Sequence, residues 1–265
     1  MIKGISIGNY YVGNSLIHRL DPRVKILFSL SVIISLFLID NYWALLWISG
    51  VYGYICLVSQ LSFTYLVRGM KPLIIIIVFT FIIHLFFTPG TAIYHLGPIS
   101  ITREGLDRGV FMAYRLILLI GVSVILTATT SPLRLTDGLQ NLLSPLKKIK
   151  VPTSELALMV SIALRFIPTF ISETERIIKA QSSRGVDFYS GNFKERLENL
   201  IPILVPLFIS SFRRAEDLAI AMEARCYRGE EGRTRLHPLK YKTIDYMAFG
   251  LILLYLGVII LLRNI

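Results

Sequence analysis

The chain has 265 residues, of which 54% are hydrophobic, and its mean hydropathy is +0.64. A soluble domain of this length needs a more polar surface, so the composition excludes an ordinary soluble protein and indicates a surface that faces lipid. The formal net charge of +11 is typical of a membrane protein with basic cytoplasmic loops, and no nucleic-acid-binding motif accompanies it.

Apolar stretches recur along the chain at lengths close to a membrane span, which requires roughly 20 residues in a helix. Five are predicted to span, namely Ile26–Ile39, Trp43–Ser59, Leu73–Phe87, Gly109–Thr130 and Tyr246–Leu262. The basic loops alternate with loops of low net charge. This alternation predicts a cytoplasmic N-terminus and a C-terminus outside the cell.

Two ionisable residues, His84 and Arg115, fall inside these predicted spans. Ionisable groups are costly in lipid, so we expect both to face other helices or a partner. We expect either a transport or gating role, or a structural one: an interhelical hydrogen bond or, for Arg115, a side chain that snorkels to the membrane interface.

The stretch from Ser131 to Lys242 differs from the rest because it contains 18 Lys+Arg and 12 Asp+Glu. Its apolar runs, Leu156–Ser172 and Asn199–Phe212, are short for spanning and contain prolines that predict kinks. We predict long amphipathic helices at the cytoplasmic membrane surface, preceded by a short helix over 133–143. The alternative is a membrane hairpin made of the two apolar runs.

The fold predicted from these patterns is an all-α membrane protein. About five transmembrane helices accompany a cytoplasmic coupling domain of long amphipathic helices. The predicted domains are a transmembrane domain (1–130), the coupling domain (131–242) and a C-terminal transmembrane helix (243–265).

Both amphipathic segments end in an arginine between two small residues. Ser183-Arg184-Gly185 ends the first and Ala224-Arg225-Cys226 ends the second. One interpretation is an ordinary helix end, since glycine suits a left-handed C-cap and arginine complements the helix dipole. The other is a pair of docking tips, because a guanidinium fits a carboxylate or carbonyl pocket on a partner protein.

No motif for chemistry is present in the sequence. It contains no phosphate-binding GxxxxGK[ST] loop, no GxSxG and no HExxH. The four histidines are scattered, and Cys56 and Cys226 form no CxxC pair. We therefore expect no catalytic residue, no metal site and no cofactor bound by this chain.

An ordered set of segments resembles the transmembrane T component of energy-coupling factor (ECF) transporters, a family that includes cobalt and nickel versions. These segments are Ser15–Lys25, Thr129–Pro132, Leu164–Pro168 with Glu173, Ala180–Gly185 and Glu223–Gly229. They run in the family's order from about residue 10 to residue 229. Each motif is weak alone, and the ordered set is specific.

The resemblance implies a non-catalytic coupling subunit in a bacterial cell membrane. It implies two similar or identical ABC-type ATPase subunits that bind ATP and Mg, and a small membrane S component that binds a vitamin or another micronutrient. The X-Arg-X motifs would dock the ATPases through Ser183, Arg184, Gly185, Ala224, Arg225 and Cys226. Structural or coupling roles would fall to Arg23, Arg165, Pro168 and Glu173. Ser183 stands where the family more often has Ala, and Cys226 where it more often has Gly.

Two other functions stay open at this point. The chain could be a permease subunit of another ABC-type transporter and form the substrate path itself, which predicts a cavity within the spans. It could also be a membrane-embedded enzyme, which predicts a cluster of reactive side chains. The sequence does not identify the transported substrate, because an ECF T component does not bind it.

Overall fold

The structure is a computed structural model that describes residues 10, 11, 13–96, 99–186, 188, 192–229 and 239–263. Its contacts divide the chain into two compact units. The membrane unit comprises the described parts of Gly8–Leu142 and Leu239–Ile265, and the long-helix unit comprises the described part of Leu143–Pro238.

The membrane unit contains eight α-helices and one strand pair among its described residues. They are α1 (Leu16–Arg19), α2 (Pro22–Leu38), α3 (Tyr42–Ser59), α4 (Phe63–Met70), α5 (Ile74–Phe87), β1 (Ala92–Leu96), β2 (Ile99–Thr102), α6 (Arg103–Thr129), α7 (Pro132–Leu143) and α10 (Thr243–Arg263). The antiparallel strands β1 and β2 were not predicted from the sequence.

Short polar side chains fix where these helices begin. The Asp21 side chain accepts the backbone N–H of Arg23, and Pro22 occupies the first helical turn of α2. Asn41 caps α3 and Thr102 caps α6 in the same way. Each cap satisfies a backbone donor that has no partner within its own helix.

The core of the membrane unit lies between α2, α3, α6 and α10. Val32 and Leu36 of α2 pack with Ile48 of α3, Leu118 of α6 and Tyr255 of α10, and each is at most 3% exposed. Helix α6 is central, since it contacts α2, α3, α4 and α5. By contrast, no residue of α5 is buried, as expected for an apolar helix that faces lipid.

Five of the described helical segments are long and apolar enough to cross a membrane. They are Tyr42–Ser59, Phe63–Phe87, Arg103–Thr129, Thr153–Ser183 and Thr243–Arg263. This finding confirms the predicted class, an all-α membrane protein with about five such helices. Four of the five contain or closely overlap predicted spans.

The fifth candidate segment lies outside the spans predicted from the sequence, and the prediction for residues 26–39 stays a prediction. Helix α2 has only 17 residues, because it begins at Pro22 and ends before Asp40. The helix Thr153–Ser183 is the fifth candidate by length and composition, because it continues well past the short apolar run identified in the sequence.

The long-helix unit is built on two helices, α8 (Thr153–Ser183) and α9 (Phe193–Ala224). Both continue past internal prolines: Pro168 in α8, and Pro202 and Pro206 in α9. A proline removes one helical hydrogen bond, so these positions are where the helices bend most easily. A membrane hairpin would need both helices to cross, and α9 is not among the five candidates in the described chain.

Candidate functional site

The two long helices end in the same backbone geometry. At the end of α8, the N–H of Gly185 donates to the Ser182 carbonyl at 3.0 Å and the N–H of Val186 donates to the Gln181 carbonyl at 3.1 Å. This pair of bonds is the Schellman arrangement, which satisfies carbonyls in the last helical turn. Arg184 occupies the C-cap position between the helix and the reversed chain.

Helix α9 repeats this arrangement residue for residue. The N–H of Cys226 donates to the Glu223 carbonyl at 2.8 Å, and the N–H of Tyr227 donates to the Met222 carbonyl at 3.0 Å. Arg225 is the C-cap residue. The two arginines therefore occupy equivalent backbone positions, although the residues that follow them differ.

That difference lies at the position with left-handed backbone. Gly185 has φ +89°, and Cys226 has φ +56°. Glycine adopts this region without penalty, whereas a residue with a β-carbon is strained there by about 1 kcal/mol or more. The family's more frequent glycine is thus absent at Cys226, yet the helix end keeps the same geometry.

The predicted site residues are all exposed: Ser183, Arg184, Gly185, Ala224, Arg225 and Cys226. The Ser183 hydroxyl donates to the Lys179 carbonyl of its own helix at 3.0 Å. Within the described part of the chain, neither the Arg184 nor the Arg225 guanidinium has a hydrogen bond or an ion pair. Each tip therefore presents an unoccupied planar donor group on a fixed backbone.

A polar contact joins α8 to α9 upstream of the tips. Arg214 Nη2 donates to Glu173 Oε2 at 2.9 Å, and the Ser210 hydroxyl donates to Glu173 Oε1 at 2.7 Å. Glu173 precedes Arg184 by eleven residues, and Arg214 precedes Arg225 by the same number. At a helical rise of 1.5 Å per residue, the contact lies about 16 Å from each arginine.

The sequence motifs identify Glu173 but not its partners Arg214 and Ser210. The signal was the repeat itself, since Glu173 and Arg214 are separated by 41 positions, as are Arg184 and Arg225. Equivalent positions of a repeated helix are good candidates for mutual contact when the two copies pack together.

The other predicted site residues lie apart from the tips. Arg165 and Pro168 are exposed on α8, upstream of Glu173. Arg23 belongs to the membrane unit, where its Nη2 donates to the Leu239 carbonyl at 2.8 Å. Among the described residues no group of three or more metal-ligating side chains occurs.

Arg115 has a structural contact within the membrane unit. Its Nη2 donates to the Ile39 carbonyl and to Asp40 Oδ1, which lie at the end of α2. The side chain is about 91% buried, and it joins α6 to α2. Of the roles considered for Arg115, the structure shows the interhelical hydrogen bond.

The chain is similar to known proteins of one family. The family model of the cobalt transport protein CbiQ matches residues 13–236. The energy-coupling factor transporter transmembrane protein EcfT of Acidaminococcus fermentans is 53% identical, with 98% of this chain and 97% of the relative covered. The EcfT protein of Ruminiclostridium cellulolyticum is 49% identical, with 100% of this chain and 99% of the relative covered. The EcfT protein of Bacillus subtilis is 46% identical, with 92% of this chain and 93% of the relative covered.

The match extends over the two arginine tips, both long helices and most of the membrane unit. It agrees with the ordered motifs found in the sequence and with the all-α membrane fold. The chain therefore belongs to the CbiQ family and is a transmembrane T component of an energy-coupling factor transporter.

Proposed function

We propose that this chain transmits ATP-driven motion from two ABC-type ATPase subunits to a small membrane S component that binds the substrate. The observation that carries the proposal is the pair of equivalent helix ends, each with an exposed arginine whose guanidinium has no partner among the described residues. Arg184 and Arg225 each dock into one ATPase, and the flanking small residues allow close approach.

A stiff helix suits this role because displacement at its tip reaches its other end. The apolar side of α9 provides the gripping surface for a membrane partner. Leu204, Val205 and Phe208 lie exposed along this side of the helix. Leu204 and Phe208 are 60% and 66% exposed, and exposed apolar area of this kind is typical of a protein or membrane interface.

The proposed orientation places the N-terminus and residues 131–242 in the cytoplasm, where ATP is available. The transported substrate is a vitamin or another micronutrient, chosen by the S component and not by this chain. The T component binds no cofactor of its own. ATP and Mg are held by the ATPases, so the chain purified alone should hydrolyse no ATP.

The test of docking is co-purification of the ATPases with variants of this chain. Truncating one member of a buried charged pair costs about 2–5 kcal/mol, or roughly 30-fold to several thousand-fold in affinity. The double variant Arg184→Glu, Arg225→Glu should therefore release both ATPases and abolish uptake. Exposed Arg176 and Arg213 lie on the same helices and provide matched controls.

The opposite result has a clear physical meaning. As solvated charges at helix ends, the two arginines would contribute only about 0.3–1 kcal/mol each. Retention of both ATPases and normal uptake by the double variant would show that the tips are ordinary helix ends.

A further inference from the structure

The start of α2 makes contacts in the membrane unit that the proposed function does not use. The Lys25 side chain is 7% exposed, and its Nζ donates to the Thr129 carbonyl at 2.9 Å and to Thr130 Oγ1 at 3.3 Å. These acceptors lie at the C-terminal end of α6. A buried ammonium there satisfies a terminal carbonyl and complements the negative end of the helix dipole.

The same segment also holds the helix that follows α6. Gly138 of α7 is buried, and a β-carbon built there would lie 3.0 Å from Pro22 Cβ and 3.2 Å from Ile26 Cδ1. These distances are tighter than ordinary van der Waals contact, so a larger residue at 138 would force Pro22 or Ile26 to shift by a few tenths of an ångström. The chain leaves the membrane unit after Leu142, so this connection is fixed at the end of α6 and again along α7.

The returning connection is held by neighbouring residues of the same segment. Arg23 Nη2 donates to the Leu239 carbonyl at 2.8 Å, and its guanidinium lies 4.5 Å from the Tyr241 ring centroid. The Asp245 carboxylate, 1% exposed, accepts the N–H of Asp21 at 2.8 Å and the N–H of Lys242 at 2.7 Å. The chain re-enters the membrane unit at Leu239.

Among the described residues, the points where the chain leaves the membrane unit at Leu142 and re-enters it at Leu239 are thus held by one short segment and one partner carboxylate. We propose that this anchor, defined as Asp21–Ile26 together with Asp245, is a fixed support for force transmission. It holds both connections so that movement of α8 and α9 reaches the membrane helices instead of being absorbed at the joints. The proposal rests on the coupling function above and identifies the residues that coupling requires inside the membrane unit.

The charges of the anchor support a fixed structure. Arg23 forms an ion pair with Asp21, and the charge of Lys25 is attracted by Asp21 and Asp245 and repelled by Arg134. Arg23 Nε lies 3.4 Å from Asp21 Oδ1. Buried charges are tolerated when they are paired and hydrogen-bonded, and removing one leaves its partners without compensation. Loss of a single cation should therefore loosen one joint selectively.

The first test is hydrogen exchange of the full chain in lipid nanodiscs without partners. Lys25→Met should speed amide exchange over 130–137 by about tenfold to hundredfold, the range expected for loss of a charged hydrogen bond. Arg23→Gln should do the same over 240–245, because it removes the donor to the Leu239 carbonyl. Exposed Arg19 supplies the control Arg19→Met, which should leave both regions unchanged.

The second test measures uptake per ATP hydrolysed by the complete transporter in proteoliposomes. The probe is a radiolabelled vitamin for which the co-expressed S component is specific. Both anchor variants should keep their ATPases and hydrolyse ATP while uptake is lost. Thr130→Val removes one hydrogen-bond acceptor and leaves Lys25 in place, so it should cause a smaller loss of uptake. This variant replaces Lys25→Met in the test if Lys25→Met does not fold.

The outcomes separate this proposal from the docking proposal. Unchanged exchange in Lys25→Met and Arg23→Gln, or normal uptake per ATP, would overturn the anchor. Loss of ATPase binding in these variants would also overturn it, because the anchor would then serve assembly. Failure of the docking proposal would appear only in the Arg184 and Arg225 variants.

Discussion

The ion pair between Glu173 and Arg214 offers the sharpest test of how the two tips act together. Glu173→Gln keeps the side-chain shape and removes the negative charge that accepts from Arg214 at 2.9 Å and from Ser210 at 2.7 Å. The Glu173 and Arg214 side chains are 25% and 38% exposed, so solvent screens part of the interaction. We expect a loss of about 1–2 kcal/mol in the packing of α8 against α9.

The geometry converts this modest loss into a larger effect at the tips. Each arginine lies about 16 Å from the ion pair, so a rotation of about 10° there moves each tip by roughly 3 Å. Binding constellations need positions held within about 0.5 Å. Two-site docking also depends on a fixed distance between the two arginines. Once one arginine is bound, the other meets its site at a high effective concentration only if that distance matches. Glu173→Gln should therefore weaken ATPase binding by roughly tenfold.

The assay is titration of the purified ATPase subunits against the chain in nanodiscs. The charge-reversed pair Glu173→Arg, Arg214→Glu should recover much of the lost affinity, because it restores the attraction between the helices. Glu216→Gln is the matched control, since Glu216 is an exposed acid on α9. Wild-type affinity in Glu173→Gln would refute the reasoning that this pair sets the spacing of the tips.

Three further predictions concern the helix ends, the orientation and the pH response. Cys226→Gly should stabilise the second tip by about 1 kcal/mol, and Gly185→Ala should destabilise the first by about as much. Nothing lies within 4 Å of a β-carbon at Gly185, so the effect on thermal unfolding reports the left-handed backbone and not a steric clash. Melting temperatures equal to that of the wild type would contradict this reasoning. In spheroplasts expressing a Cys56→Ser chain without ATPases, a membrane-impermeant thiol reagent should label exposed Cys226 only after permeabilisation; labelling of intact cells would show that the second tip lies outside. Burial lowers the pKa of His18, and the positive charge of Lys25 lowers it further, whereas the hydrogen bond to the Tyr11 carbonyl raises it. The unfolded state then binds more protons below about pH 6.5, so the melting temperature should fall as pH is lowered, and His18→Gln should reduce that fall; an identical pH profile in His18→Gln would contradict the assignment.

Most helices could be predicted from the sequence to within a few residues. The short helix predicted over 133–143 is Pro132–Leu143, and the two long segments are Thr153–Ser183 and Phe193–Ala224. A long helical repeat of apolar residues, bounded by polar residues that can cap the helix, specifies such helices locally. The first predicted span begins four residues too late, because a run without charged residues misses the first turn of α2, which Asp21 caps and which contains Arg23 and Lys25.

The candidate site was predicted only in part. The arginine tips could be found because a small residue, an arginine and a left-handed turn are adjacent in the chain. The sequence left the second tip uncertain because of Cys226, whose left-handed backbone is imposed by the two Schellman hydrogen bonds around it. Local propensity disfavours that conformation, and the hydrogen bonds of the helix end outweigh it.

The sequence by itself determined that this is an all-α membrane protein with two arginine-tipped helices. Those features follow from composition, periodicity and backbone rules that act over a few residues. The tertiary structure alone decided which polar groups meet: Arg214 with Glu173 across 41 positions, Arg115 with Ile39 across 76, and Lys25 with Thr129 across 104. Helical patterns place a charged residue on a face but do not specify its partner, because the register between two helices is set by the packing of all their side chains.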